Sequence, residues 1–257
     1  MEITDTLTLD HFLFSFHPTR FAALSVLSEV LKNCEHTVVT RPDVSYEGVY
    51  LIAHNGNYLE LLKYDEEYPN IFGAAVSSLF PEKNDADQLP ELFPELPWTS
   101  TQIFDNKHKP WFTHYGQVEA EEAVKQKVIF WAMHYHNFSR HRPYSFRKTP
   151  PPIDEFSVQE FLSTKCRIPV EAREVVKQQS QWLPGSHKFE KKHVTLSIPN
   201  ASQNKFEIVL EFDENASESE PLSVTMRLLE KSKLPIDEYK GFQLIQKADL
   251  LTMDFSS

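Results

Sequence analysis

The segment Leu7–Phe16 (LTLDHFLFSF) is mostly apolar on both alternating phases: Leu7, Leu9, His11 and Leu13 on one, Phe12, Phe14 and Phe16 on the other. A strand with two apolar faces has to be covered on both, which predicts a central, buried strand. Pro18 breaks it. From Arg20 to Asn33, Phe21, Leu24, Leu27, Val30 and Leu31 recur at three- and four-residue spacing, the pattern of an amphipathic helix. His36–Thr40 and Tyr46–Ala53 read as strands, and Asn55-Gly56 signals a hairpin into Tyr58–Tyr64. Residues 1–64 therefore read β-α-β-β-β, a small mixed sheet with its helix on one face.

Asp65–Lys125 reads differently. Pro69, Pro81, Pro90, Pro94, Pro97 and Pro110 punctuate it, with strand character only at Gly73–Leu79, so a Pro-rich insertion or lid is expected over 65–125. Trp98, Trp111 and Phe112 imply that part of it packs down. Lys127–Phe138 (KVIFWAMHYHNF) is a β-prone run. Helical patterns follow at Val158–Ser163 and Val170–Gln181, then strands at His193–Pro199, Lys205–Phe212 and Leu222–Glu230, and a last apolar segment at Phe242–Phe255. Residues 126–257 thus read as a second, divergent β-α-β-β-β unit. The expected fold class is α+β, built of paired units.

Composition narrows the function. Lys and Arg number 26 against 37 Asp and Glu, a net charge of −11, which argues against binding nucleic acid or an anionic membrane. No apolar run approaches the ~20 residues of a membrane span. The opening MEITDTLTLDHF is acidic where a secretory leader is basic, so a cytoplasmic protein is expected. Cys34 and Cys166 do not make a disulfide framework. With six glycines there is no GxGxxG and no GxxxxGKS/T, and HExxH and GxSxG are also missing.

Four features could carry chemistry. His11 sits mid-strand after Asp10 and needs partners for its ring nitrogens; a backbone carbonyl would be enough. Glu60 places a carboxylate inside the apolar run YLELL, where it must be paired, metal-bound or on a solvent face. His134 and His136, two apart on a strand, present two imidazoles to one side, either as metal ligands or as a strand end turning into solvent. Arg140, His141, Arg142, Arg147 and Lys148 form a basic patch suited to an anion clamp or to surface ion pairs. Cys166 lies between Lys165 and Arg167, a setting that could lower its thiol pKa.

Taken together, LDHFLFSF, the Ala22–Leu31 helix and YEGVYLIAHNGNYLELLKY resemble the first module of glyoxalase-like proteins of the vicinal oxygen chelate superfamily. The GVYL…NGNYLELL and WF…VIFWAMHYHNF stretches are similar to an uncharacterised glyoxalase-like family. The resemblance implies paired β-α-β-β-β modules cupped around a divalent metal (Fe, Mn, Ni or Zn) held by His11, Glu60 and His134. His136 would be an alternative ligand or a proton carrier, with Tyr58, Trp111 and Arg142 against the substrate. The implied activity is that of a lyase, isomerase or dioxygenase on a small oxygen-chelating metabolite, its site complete within one chain or across a homodimer. One departure stands out: the expected carboxylate on a last strand could only be Glu230. Superfamily members that bind a small molecule without metal supply the alternative reading, and a cupin-like barrel around His134 and His136 is disfavoured because no Glu follows them.

Overall fold

The computed structural model describes residues 6–40, 45–63, 71–78, 85–104, 108–116, 127–136, 157–200, 202, 204–229, 238–239 and 242–256. These form two eight-stranded mixed sheets. The first contains β1 (Leu7–Phe16), β2 (Cys34–Thr40), β3 (Ser45–Ile52), β4 (Tyr58–Lys63), β5 (Phe72–Ser78), β6 (Thr99–Phe104), β7 (Pro110–Gly116) and β8 (Val128–Tyr135). Its strand order is β2-β3-β4-β1-β5-β8-β7-β6. The second contains β9 (Val158–Pro169), β10 (Ser186–Phe189), β11 (His193–Pro199), β12 (Lys205–Asp213), β13 (Glu220–Leu228), β14 (Glu238–Tyr239), β15 (Phe242–Lys247) and β16 (Leu250–Asp254). There the order is β10-β11-β12-β9-β13-β16-β15-β14.

Both sheets follow one plan. β1 runs parallel to β4, β5 parallel to β8 and β9 parallel to β12. Each sheet is closed at its centre by an antiparallel pair, β1 with β5 and β9 with β13. The last unit departs, because β16 runs antiparallel to β13. This is the α+β class expected, with β-α-β-β-β units paired into curled mixed sheets.

Three readings are corrected. The segment 65–125 contributes β5, β6, β7 and a short helix, α1 and α2 being the earlier ones and α3 this one (Leu89–Leu92). Its described prolines sit where they do not interrupt a ladder: Pro90 in the first turn of α3, Pro110 at the start of β7, Pro94 and Pro97 between α3 and the edge strand β6. Val158–Ser163, read as helix, is the first half of β9, which lies between β12 and β13 and takes its conformation from two neighbours. The helix expected from Arg20 to Asn33 is split into α1 (Pro18–Leu24) and α2 (Leu27–Val30). Ser25 Oγ donates to Ala22 O and Ser28 Oγ to Ser25 O, local bonds that compete with continuation of the helix.

The sheets pack on each other through one face each. Phe12 meets Phe161 and Phe206 at ring separations of 5.2 and 4.8 Å, and Phe16 meets Phe255 at 5.9 Å. The backbone ties them too: His54 N donates to Val158 O and Asn55 N to Gln159 O. Between β3 and β4 the Asn55-Gly56 hairpin forms as read, with Gly56 at φ 87°, a value that favours glycine. Phe12→Ala removes a ring shared by both sheets and is expected to cost about 3–5 kcal/mol in urea unfolding; a loss below about 1 kcal/mol would contradict a common core.

Candidate functional site

The site begins with one extra residue. On β1, Leu9 faces Val76 of β5 and His11 faces Ala75, so Asp10 has no partner in the ladder. This β-bulge resets the alternation. Leu7 and Leu9 join Phe12, Phe14 and Phe16 in the core between the sheets, whereas strict alternation placed them with His11. Asp10 and His11 turn together to the outer face. The Asn57 amide pins the bulge by donating to the carbonyls of Leu9 and Asp10, the latter at 3.3 Å.

Asp10 is completely buried and accepts three hydrogen bonds: from His11 Nδ1 at 2.8 Å, Ser77 Oγ at 2.7 Å and Tyr135 Oη at 3.2 Å. Three donors satisfy a carboxylate that burial would otherwise penalise. His11 is 4% exposed, and among the described residues its Nε2 has no hydrogen-bond partner. Tyr58 stacks on the imidazole at 4.4 Å and Trp131 meets it edge-on at 5.2 Å. Beyond Trp131 lies His114, 5.8 Å away. Burial, then the neighbouring His11, pushes the His114 imidazole down to about 4. The Tyr58 phenol is pushed up by burial first and then by Tyr135, Glu60 and Asp10.

The indole of Trp131 rests over β5. A Cβ built on Gly73 would lie 2.8 Å from Trp131 Cζ3 and 3.1 Å from Leu13 Cγ, so glycine there admits the ring. Leu13, Ile129, Trp111 and Phe112 are partly buried and pack around Ala75, Trp131, Met133 and Tyr135 to form the cup wall.

The proposed ligands do not converge. His11 and Glu60 share the outer face, but Glu60 lies opposite Leu13, two residues and so about 7 Å further along the strands. His134 alternates with Trp131, Met133 and Tyr135, and so projects to the other face with Val128, Phe130 and Ala132. There its Nδ1 bonds Asp87 Oδ1 at 2.8 Å. His136 shares that reverse side, with Nε2 2.7 Å from Thr113 Oγ1 and 3.3 Å from Gln102 Nε2. Burial, then His134, lowers the His136 pKa. The strand beside β1 is β5, whose residue opposite His11 is Ala75; β8 lies one strand further out, with Trp131 opposite Ala75. Among the described residues no three His, Cys, Asp or Glu side chains form a metal-holding group, so His11, Glu60 and His134 do not fit a single metal centre.

Tyr58 stacks on His11, and Trp111 packs against the cluster that contains Trp131. Arg142 and Glu230 are outside the described residues. The Cys166 thiol is pushed up by burial, more strongly than Arg167 lowers it, and Cys34 is raised to about 12 for the same first reason. Neither is an activated nucleophile. Sequence reasoning missed Asn57, Ser77, Trp131, Tyr135 and His114. Only Asp10 was signalled, by its adjacency to His11.

No family model and no curated protein sequence matches the chain. Solved structures do. A hypothetical protein from Staphylococcus aureus aligns at TM-score 0.51 with 9% identity, over 83% of this chain and 88% of the other. BphC, a halotolerant catechol dioxygenase, aligns at TM-score 0.41 with 7% identity, over 86% of this chain and 67% of its own. Homoprotocatechuate 2,3-dioxygenase from Arthrobacter globiformis aligns at TM-score 0.38 with 9% identity, over 79% of each chain. At such identities the similarity concerns the fold alone, two curled mixed sheets with few helices.

The buried His114 carries a pH prediction. Its folded pKa lies near 4 against an ordinary 6.5, so between those values the unfolded chain binds the extra proton. Its contribution therefore falls as pH drops from about 6.5 to about 4, by up to about 3 kcal/mol. Urea unfolding of His114→Gln should show a shallower loss of stability across that window than the parent. Parallel curves would mean that His114 does not titrate in this way.

Proposed function

We propose that the concave face of the first sheet binds a small, largely apolar organic molecule, and that it does so without a metal. The observation that carries this reading is the placement of Trp131. Its indole lies over Gly73 and against His11, where a metal held jointly by β1 and β5 would need room and donors. The partly buried Leu13, Ile129, Trp111 and Phe112 offer an apolar surface around it. Apolar clefts with a few placed polar groups are the usual form of a small-molecule site.

His11 supplies the polar end. With Nδ1 held by Asp10, Nε2 is the nitrogen left for a ligand. As a neutral ring it accepts a hydrogen bond, and as an imidazolium it donates one. Tyr58 stacked on one side and Trp131 edge-on to the ring fix its plane, so the bond has one direction.

A second reading keeps a divalent metal and an enzymatic lyase, isomerase or dioxygenase activity. It is favoured by one observation: a carboxylate behind an imidazole is also how metal-ligating histidines are oriented. In that case His11 and Glu60 would need a further ligand from outside the described residues.

Titration with N-phenyl-1-naphthylamine, a neutral fluorophore, separates the two. Saturable 1:1 binding that survives EDTA is expected. Leu13→Glu and Ile129→Glu, which put charge on the half-buried wall, should each weaken binding by about tenfold or more, or about 1.4 kcal/mol, with the thermal midpoint little changed. Binding lost on chelation would favour the metal-dependent reading. Binding indifferent to both substitutions would place the ligand elsewhere and sink the proposal.

A further inference from the structure

On the reverse face of the same sheet, the geometry points to a two-imidazole site for a divalent transition-metal ion, Zn(II) or Cu(II), at His134 and His136. It is independent of the cup, since β8 sends His134 to the side opposite Trp131, Met133 and Tyr135, and the ring of His136, just beyond the strand, lies 4.7 Å from that of His134.

Each ring is held through one nitrogen and leaves the other open. His134 Nδ1 bonds Asp87 Oδ1 at 2.8 Å, so Nε2 remains. His136 Nε2 is engaged by Thr113 Oγ1 at 2.7 Å and by Gln102 Nε2 at 3.3 Å, so Nδ1 remains. Among the described residues neither remaining nitrogen has a partner. Orientation of an imidazole by a hydrogen bond at its far nitrogen is the arrangement metal ligands require.

The orienting groups are themselves fixed. Asp87 lies in the 3-10 turn Asp85–Gln88, and Asp85 of that turn accepts from Thr6 Oγ1 at 2.5 Å and Ser78 Oγ at 2.9 Å. Tyr115, whose phenol is pushed up by burial and then by Asp87, stands beside it. Thr113 is on β7 within the ladder to β8, directly opposite His134.

The ring spacing fits a shared ion. A metal about 2.1 Å from each nitrogen sits about 3.2 Å from each ring centre. The observed centroid separation of 4.7 Å then corresponds to an N–metal–N angle of roughly 95°. Asp87 stays behind His134 rather than on the ion, in keeping with the lack of any three-donor group among the described residues. Water would complete the coordination. Two neutral imidazoles suit Zn(II) and Cu(II), and not Mg or Ca, which take oxygen ligands. His134 is largely buried and His136 exposed, so the ion would seat at the strand end with one side open.

The test uses the full chain stripped with EDTA and desalted. Calorimetry with Zn(II) and electron paramagnetic resonance with Cu(II) should each report one equivalent, the Cu(II) spectrum showing coupling to two nitrogens. His134→Gln and His136→Gln should each remove that pattern, and Asp87→Asn should weaken Zn(II) binding about 10-fold or more. Circular dichroism shows whether the variants fold; His136→Gln changes an exposed side chain and serves as the control. His11→Gln should leave the affinity unchanged. No stoichiometric binding to the parent, or binding that survives both histidine substitutions, overturns the inference. Binding lost only in His11→Gln overturns it and the metal-free reading of the cup together, whereas failure at His134 and His136 alone leaves the cup untouched.

Discussion

The extra residue that the β-bulge inserts at Asp10 sets what the first sheet can do. Without the bulge, the apolar residues of β1 would divide between the two faces and Asp10 would point into the core. With it, five large apolar side chains of β1 reach the core between the sheets, and a carboxylate and an imidazole emerge side by side on the outer face. The Asn57 amide stabilises the arrangement by satisfying carbonyls that the broken ladder frees. One irregularity thus serves both packing and chemistry.

The second sheet makes the same bulge and uses it differently. On β9, Val158 faces Leu228 and Glu160 faces Arg227, leaving Gln159 extra. Glu160 therefore occupies the place that His11 holds on β1, and Arg227 the place of Ala75. Glu160 is buried and bonded by Arg227, Ser202 and Asn204. There the guanidinium of Arg227 pairs with the buried carboxylate and with Asp249, so the position is taken up by ion pairs. The surrounding outer face carries exposed pairs such as Lys165–Glu211 and Arg167–Glu220, both at 2.7 Å, which contribute little to stability. In the first sheet an imidazole, with its second nitrogen, stands among aromatic rings. The two sheets share a backbone plan and differ in which one keeps an open polar atom.

Trp131 shows how a shared fold can support different chemistry. Gly73 and Ala75 on β5 leave a shallow space beside His11, and the indole from the next strand fills it. A bulky ring at that point replaces potential donors by an apolar surface while leaving the backbone unchanged. The same alternation that sends Trp131 to the outer face turns His134 to the opposite face, toward Asp87, so β8 carries aromatic rings on one side and His134 on the other.

The sequence by itself determined the first unit, because local signals there agree: apolar phases on β1, Pro18 after it, Asn55-Gly56 between two β-rich runs. It also made His11 legible through Asp10 beside it. The strands β11 and β12 were read almost to the residue. Within the segment 65–125 the strand β5 was read, but the prolines, counted without their positions, hid β6 and β7. Val158–Ser163 was misread as helix because a short apolar run does not reveal its period until two neighbouring strands bind it. Facing was the deeper limit. Which side His11 and His134 occupy depends on a single added residue and on strand order, and a shift of one residue reverses every side chain. Such parity is fixed only when the ladders form, so the tertiary structure alone decided that the two histidines lie on opposite faces of one sheet.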